Sequence, residues 1–400
     1  MTALDHFPPT RTAALERLAR FVPHAGRDYA ARRNYDLGPG RHTGVSQLSP
    51  YLRCRLITER DVLEAVLVRH SPQAAEKFIQ EVFWRTYWVG WLMQRPGVWD
   101  QYRADLNRQW DAVQTQSGLR ARWEEACSGQ TGIDCFDTWA QELAETGYLH
   151  NHARMWFASI WIFTLELPWE LGADFFLRHL LDGDPASNTL GWRWVAGIQT
   201  PGKTYLARTS NISKFTEGRF HPKYQLAGEA PALSAPPAPD ARPLPPRGHA
   251  ASSLRSGLLL HDADLSPGFV LERVTPLTHA VLTPEAPSPL MPAPHVTAFR
   301  DAATGDTQTR WAERLGTAGG QMRTAGEIID WARQHDLQQI VTAAAPTGPV
   351  ATVLAALRAT PDAPKLVEIR RDYDDAAWPL ATKGFFPFKK HIPSLLKTIR

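Results

Sequence analysis

Cysteine is scarce in this 400-residue chain: Cys54, Cys127 and Cys135 are its only members and form no CxxC pair. Three cysteines make a disulfide framework improbable, and a four-cysteine iron–sulfur cluster would lack a ligand. Long apolar runs are also missing, since no window holds eighteen uninterrupted apolar residues. Charged residues such as Arg11 and Glu16 exclude a signal-peptide core near the start. We therefore expect a cytoplasmic protein with no membrane partner.

An excess of charge of one sign is equally absent. Lysine and arginine number 44 against 41 aspartates and glutamates, so the formal net charge at pH 7 is +3. This balance tolerates a DNA partner without requiring one, because local patches matter more than the total. Twelve of the fifteen tryptophans lie before residue 195. Because 400 residues exceed what one hydrophobic core usually holds, two compositionally different domains are expected.

The stretch from Gly147 to Trp194 carries the most informative pattern. Its apolar residues recur at helical spacing, and they are Met155, Trp156, Ile160, Trp161, Phe163 and Leu165. Pro168 ends this helix and suits the opening of a second one, predicted over Trp169 to Leu181. The second helix runs into an acidic turn at 182–185. The pattern predicts a helical hairpin.

Polar residues inside this apolar stretch need partners. Arg154 lies on the first helix, where a guanidinium is costly unless a carboxylate or a ligand satisfies it. Asp182 and Asp184 offer such carboxylates in the turn. We therefore expect the hairpin to bring Arg154 near the turn. The alternative is a helical core with incidental polar residues.

These residues resemble the flavin-binding domain of the photolyase/cryptochrome family. The matching motifs are H-N-x-x-R-M (His150 to Met155), D-G-D (Asp182 to Asp184), Asn188 and W-x-W (Trp192, Trp194). The resemblance extends from about Tyr29 to Phe220, and the motifs follow in the family's order. It implies an all-helical domain that holds FAD in a U shape between two helices. The family's usual N-terminal α/β antenna domain has no counterpart before these motifs, although the C-terminal tail over 367–393 faintly resembles the late part of that domain and leaves a shortened, transposed relative as an alternative.

The resemblance also implies which residues contact FAD. In the family, the arginine and the first aspartate pair beside the flavin ring, and the asparagine faces flavin N5. Upstream, Ser46 to Ser49 open a helix whose free N–H groups suit a phosphate, although S-x-x-S is usually a simple cap. Val45 replaces the threonine of the family's T-S-x-L-S-P-Y-L, and Tyr29 could instead be a packed surface tyrosine. The implied cofactor-binding residues are Tyr29, Val45, Ser46, Gln47, Leu48, Ser49, Phe78, Arg154, Asp182, Gly183, Asp184 and Asn188.

A further helix, predicted over Ala74 to Met93, places Glu81, Trp84 and Arg85 on one face. This pattern resembles the family's E-x-x-W-R-x-[FY]. There the glutamate hydrogen-bonds a pyrimidine dimer, the tryptophan stacks on the dimer and the arginine helps to position DNA. The alternative is a Glu81–Arg85 ion pair on an ordinary amphipathic helix.

The DNA-facing residues implied by the resemblance are Trp84, Arg85, His152, Met155 and Trp194. The family's repair enzymes commonly carry arginine where this chain has His152. Because histidine is mostly neutral at pH 7, weaker or pH-dependent DNA binding is expected. His150 and His152 also suggest a metal site, but the sequence places no third ligand, so none is predicted.

Two tryptophans resemble members of the family's electron-transfer chain. They are Trp169 and Trp192, and Trp110 is the candidate for the third, surface member. Indoles suit electron hopping because they can be oxidised and then lose or regain a proton. Tryptophans are also large core residues, so simple packing is the alternative.

Composition and periodicity predict the structure of the remaining segments. Residues 96–127 are polar and predict loops and short helices, whereas seven prolines in 228–250 predict a semi-extended linker. An α/β pattern follows, with strands predicted at 296–299, 339–344 and 365–370, and helices at 307–315, 325–335 and 350–358. This alternation implies a small parallel sheet. The expected architecture is mainly α: a helical FAD-binding domain over 1–225, a Pro-rich linker and irregular segment over 226–294, and a small α/β domain over 295–400.

The favoured function is photolyase-like, a carbon–carbon lyase that repairs pyrimidine dimers in DNA with blue light and FAD, acting as a monomer. The predicted catalytic residues are Glu81, Trp84, Asn188, Trp192, Trp169 and Trp110. The alternative is a cryptochrome-like photoreceptor or flavin redox protein without repair activity, and a third possibility is a flavin-binding remnant. Glu81, Trp84 and Asn188 together favour repair, whereas His152 and the absent antenna domain favour sensing.

Overall fold

A computed structural model describes residues 3–399; Met1, Thr2 and Arg400 lie outside the described residues, and with them the outer ends of the first and last predicted domains. Thirteen α-helices precede the first strand in this part of the chain. They are α1 Ala3–His6, α2 Arg11–Phe21, α3 Arg27–Arg32, α4 Ser49–Arg53, α5 Glu59–Arg69, α6 Glu76–Met93, α7 Gly97–Thr115, α8 Ser117–Ser128, α9 Asp134–Thr146, α10 Asn151–Ser159, α11 Trp169–His179, α12 Pro185–Val195 and α13 Thr209–Phe215.

Local capping explains where several of these helices begin. Thr10 caps α2 by accepting from the Ala13 N–H, and Thr58 forms a capping box with Asp61 at the start of α5. The predicted helix at 74–93 is confirmed as α6. The predicted loops at 96–127 are wrong, because α7 and α8 cover this region. Buried Val98, Trp99, Tyr102, Leu106 and Val113 give α7 a helical stripe that its polar residues had obscured.

The predicted hairpin is confirmed. Helix α10 continues as a π-helical turn over Ile160–Thr164 before Pro168 admits α11. Helix α11 ends at His179, two residues earlier than predicted. The turn then leads into α12, where Asp184 is the N-cap and Pro185 the first residue.

The C-terminal part contains a five-stranded parallel sheet with flanking helices. Its strands are β1 Ser256–His261, β2 Thr278–Leu282, β3 Thr317–Met322, β4 Gln339–Ala343 and β5 Lys365–Ile369. Its helices are α14 Gly268–Leu271, α15 Pro294–Arg310, α16 Ala325–Gln334, α17 Pro349–Ala359, α18 Asp372–Ala377, α19 Phe385–Lys389 and α20 Ile392–Lys397. The strand order is β3-β2-β1-β4-β5, so the central strand β1 pairs with both β2 and β4.

The sheet corrects two sequence expectations. The strand predicted at 296–299 is wrong: this segment lies in α15, where Val296, Phe299 and Ala303 form a buried stripe at helical spacing. The sheet also begins at Ser256, inside the segment predicted to be irregular, because the all-buried strands β1 and β2 lie between its prolines. Strands β4 and β5 agree with prediction.

The helical region and the C-terminal region share one hydrophobic core. Residues from beyond the sheet's first strand, including Leu265, Phe299, Trp378 and Phe385, belong to the same buried cluster as the helical domain. The sheet has a separate core on each face. Over residues 3–399, no helix combines the length and apolarity that a membrane crossing requires.

Candidate functional site

The predicted pairing of Arg154 with the acidic turn is confirmed. The Arg154 Nη2 donates to Asp182 Oδ2 at 3.0 Å, and its Nε donates to the Leu149 carbonyl at 2.8 Å. The Asp182 side chain is 6% exposed. Its other oxygen, Oδ1, is buried and accepts no hydrogen bond among the described residues. An acceptor left in this state is costly, so the site suits a ligand that donates a hydrogen bond.

The second aspartate of the turn anchors α12 and holds Arg85. Asp184 accepts from the Ser187 N–H at 2.6 Å and from Arg85 Nη1 at 2.6 Å. Burial alone would raise the pKa of Asp184, but the Arg85 charge and the Ser187 N–H hold it below its ordinary value. Arg85 also lies 3.5 Å from Glu59 and is 17% exposed. The alternative Glu81–Arg85 pair is therefore not formed.

The predicted phosphate segment leads into a very short helix. Helix α4 begins at Ser49 but contains only five residues, and Gln47 precedes it with a φ of +52°. The Gln47 side chain is engaged with His6 and with the His42 carbonyl. Leu48 is buried and Val45 is partly buried against the helical core. Arg53, at the end of α4, donates to the Gly183 carbonyl at 3.2 Å, so this segment adjoins the acidic turn.

An aromatic and charged group forms where α3 meets α6. The rings of Tyr29 and Phe78 meet edge to face with centroids 5.2 Å apart, which joins two predicted flavin contacts. Arg33, one turn after Tyr29, pairs with Glu81. Burial, with a smaller contribution from Glu81, raises the pKa of the Tyr29 phenol. Arg33 was not predicted from the sequence, although its position four residues after Tyr29 indicates that the two side chains lie on the same helix face.

Trp84 has an unexpected neighbour from the C-terminal region. Its indole stacks on Phe385 with centroids 3.6 Å apart and an interplanar angle of 11°. Phe385 is buried, and Trp84 keeps part of its surface exposed. Tyr87 fastens the same segment by donating to the Lys383 carbonyl at 2.9 Å. One indole face of Trp84 is therefore covered by this chain itself.

The other predicted DNA contacts lie near α10, α12 and α13. His152 Nε2 lies 3.3 Å from Asn211 Oδ1, and burial lowers the pKa of His152. Its ring is therefore neutral and engaged within the protein at pH 7. Trp194 stacks on Tyr205 at 5.7 Å, and Met155 is half-buried.

The predicted electron-relay residues are distributed over three helices. Trp192 on α12 packs against Trp161 and Phe176. Trp169 on α11 adjoins Tyr102 at 5.6 Å.

Tyr102 in turn adjoins Trp99 at 5.4 Å, whereas Trp110 lies against Trp123. Tyr102, which lies on α7 with Trp99, was not recognised in the sequence.

Asn188 on α12 is buried and donates from Nδ2 to the Ala173 carbonyl at 2.7 Å, which fixes its amide orientation.

Residues 78–225 match the family model for the FAD binding domain of DNA photolyase. A deoxyribodipyrimidine photo-lyase from Synechococcus sp. is 32% identical over 195 residues, which cover 47% of this chain and 39% of that protein. The Escherichia coli deoxyribodipyrimidine photo-lyase is 31% identical over 228 residues, covering 54% and 46%. The chain thus spans less than half the length of these relatives.

Among solved structures, a bacterial class III photolyase from Agrobacterium tumefaciens is 26% identical. It has a TM-score of 0.43 and covers 52% of this chain and 43% of that one.

Proposed function

Since residues 78–225 are an FAD-binding domain of the photolyase/cryptochrome family, we propose that the protein repairs pyrimidine dimers in DNA with blue light. When bound, reduced FAD supplies the light-driven electron that opens the cyclobutane ring. The observation that carries the proposal is the joining of α10, α6 and α12 at one acidic turn through Arg154–Asp182 and Arg85–Asp184. These pairs bring Arg154, Asp182 and Asp184, three of the predicted flavin contacts, to that turn.

The chain's residues fit the cofactor. The unpartnered Asp182 Oδ1 and the partly exposed Arg154 supply an acceptor and a cation to a polar ring edge. Asn188 presents a fixed amide, and Tyr29 with Phe78 form an aromatic wall. Val45, Ser46, Gln47, Leu48 and Ser49 form the proposed phosphate contact, in which backbone N–H groups matter more than the short helix α4.

The dimer would bind beside α6. Trp84 offers an apolar surface for a flipped pyrimidine dimer, and base–aromatic stacking contributes about 1–3 kcal/mol per base. Glu81, held by Arg33, is the proposed acceptor for the pyrimidines. Met155 and Trp194 would complete the cavity. Arg85 holds Asp184 rather than DNA, so in this proposal its contribution is to position the turn.

A specific contact favours the alternative of a cryptochrome-like photoreceptor. Phe385 occupies one face of the Trp84 indole, and His152 is neutral and bonded to Asn211. Both features reduce the surface available to DNA. In a photoreceptor, the contact between α6 and the C-terminal segment would be the element that responds to the flavin's redox state.

The test is a blue-light assay with an oligonucleotide that contains one thymine dimer. Flavin-loaded, chemically reduced protein is expected to restore thymine absorbance, and Glu81→Gln should lower the repair yield more than the affinity. Trp84→Ala should weaken binding to the lesion about ten- to a hundredfold at fixed salt. Lys77→Ala, an exposed change on the same helix, is the matched control.

Binding to undamaged duplex depends mainly on phosphate contacts and should barely change in Trp84→Ala. Equal affinity of the unaltered protein for damaged and undamaged DNA, with no dimer cleavage under light, would favour the photoreceptor. A Trp84→Ala variant that binds the lesion as tightly as the unaltered protein would remove Trp84 from the proposed site.

A further inference from the structure

A buried group of ligating side chains lies outside the proposed flavin and DNA contacts. Asp36 and His42 come from the loop between α3 and α4, and Glu142 comes from α9. Their side chains are 0%, 2% and 2% exposed. One potential ligand atom from each residue can be chosen so that all three lie within 4.8 Å of one another. We propose that Asp36, His42 and Glu142 bind one divalent first-row transition metal ion.

Unused ligand atoms point to this ion. Among residues 3–399, His42 Nδ1 and Glu142 Oε2 are buried and have no hydrogen-bond partner. His42 Nδ1 lies 3.7 Å from Asp36 Oδ1, too far for a hydrogen bond. Two ligands bound tetrahedrally at about 2.1 Å lie about 3.4 Å apart. A metal ion between His42 Nδ1 and Asp36 Oδ1 would therefore fit with a small adjustment of the two side chains.

The surroundings of Asp36 resemble those of a metal-bound carboxylate. Its Oδ2 accepts from Trp139 Nε1 at 2.8 Å and from Arg219 Nη2 at 2.7 Å. Among residues 3–399, its Oδ1 accepts only from the Gly38 N–H, at 3.1 Å, so one lone pair remains for a metal. Hydrogen bonds of this kind orient ligating carboxylates in metal sites. Trp139 precedes Glu142 by three residues, so α9 supplies both a ligand and an orienting donor.

Charge also favours a cation beside Glu142. Arg219 is engaged with Asp36, and the hydrogen-bond contact of the Glu142 carboxylate is with His42, whose Nε2 lies 3.3 Å from Glu142 Oε1. A divalent ion would supply the missing positive charge. One imidazole and two carboxylates are a donor set that suits Zn²⁺ or Mn²⁺.

The experiment uses the full-length, flavin-loaded protein, stripped with a chelator and titrated with Zn²⁺ and separately with Mn²⁺ against a chromophoric competitor. One equivalent per chain is expected to bind. His42→Gln and Glu142→Gln should each weaken binding at least about tenfold, because each removes a ligand while keeping a polar side chain of similar size. Glu170→Gln changes another buried glutamate, on α11, and should bind as the unaltered protein does.

Two results would overturn the metal site. One is binding of less than about a tenth of an equivalent of either ion, which would leave the three side chains as an internal polar cluster without a metal. The other is equal affinity in His42→Gln, Glu142→Gln and Glu170→Gln, which would assign the metal to surface histidines. If either ligand variant fails to fold, the unaltered protein alone tests the metal site. Zn²⁺ must then raise its Tm, and a chelator must reverse the rise.

Discussion

At the scale of single residues, Arg154 carries the charge that faces Asp182. Arg154→Ala should make the protein lose FAD during gel filtration and lower its free energy of unfolding by about 1–3 kcal/mol, because a buried carboxylate loses its partner. The measurements are flavin absorbance per chain and urea unfolding. Arg178→Ala, which breaks the Arg178–Asp174 pair on the same hairpin, is the control. Equal FAD retention in the two variants would contradict the assignment of Arg154.

Glu170 gives a second residue-scale prediction, about pH. Burial, with Asp105 adding to it, raises its pKa from 4.5 to about 7. Between these values the unfolded chain releases a proton that the folded protein retains, so the folded state loses stability as the pH rises. Glu170→Gln should therefore match the unaltered protein near pH 4.5 and exceed it by about 2–4 kcal/mol at pH 8.

Urea unfolding of both proteins across this pH range measures the difference directly. A difference in unfolding free energy that stays flat from pH 4.5 to 8 would show that Glu170 ionises normally in the folded protein.

At the scale of elements, the packing of α11 against α12 fixes the proposed relay. Gly172 lets the two helices approach so closely that a Cβ there would lie 2.4 Å from the Trp192 ring. Trp192→Phe should slow photoreduction of the oxidised flavin at least about tenfold. It should spare repair by protein that has been reduced chemically, because the relay only restores the reduced state.

Trp161→Phe is the matched control, since Trp161 contacts Trp192 in the same core but has no assigned place in the relay. Transient absorbance after a blue flash measures the rate. If Trp192→Phe photoreduces the flavin at the rate of the unaltered protein, Trp192 serves only in packing.

At the scale of the whole molecule, one buried arginine joins the helical region to the sheet and the C-terminal segment. Arg55 donates twice to Asp374 at 2.7 Å and lies 3.2 Å from Asp264, which follows β1. Arg55→Met should lower the free energy of unfolding by about 3–5 kcal/mol, because it leaves Asp374 buried without that cation. Arg60→Ala breaks an exposed pair with Glu64 and should cost at most about 1 kcal/mol.

Urea unfolding of the full chain measures both variants. An Arg55→Met protein as stable as Arg60→Ala would show that the Arg55–Asp374 pair does not stabilise the contact between the two regions.

The sequence by itself determined the features that depend on local spacing. The hairpin, the Arg154–Asp182 pair, helix α6 and strands β4 and β5 were all predicted, because apolar periodicity and capping act over a few residues. The same local reasoning failed at 296–299, because four residues fit the apolar period of a strand as well as that of a helix. It also failed at β1 and β2, because the prolines on either side made two short buried strands look like irregular chain.

Only the tertiary structure decided which charged and aromatic partners meet. Helical spacing allowed a Glu81–Arg85 pair, but Glu81 pairs with Arg33 and Arg85 with Asp184. Phe385 covers Trp84 from three hundred residues away, and Asp36, His42 and Glu142 meet from two distant segments. Once the helices are packed, each buried polar group pairs with whichever partner lies nearest in space. That partner can be distant in the sequence, so local spacing does not predict it.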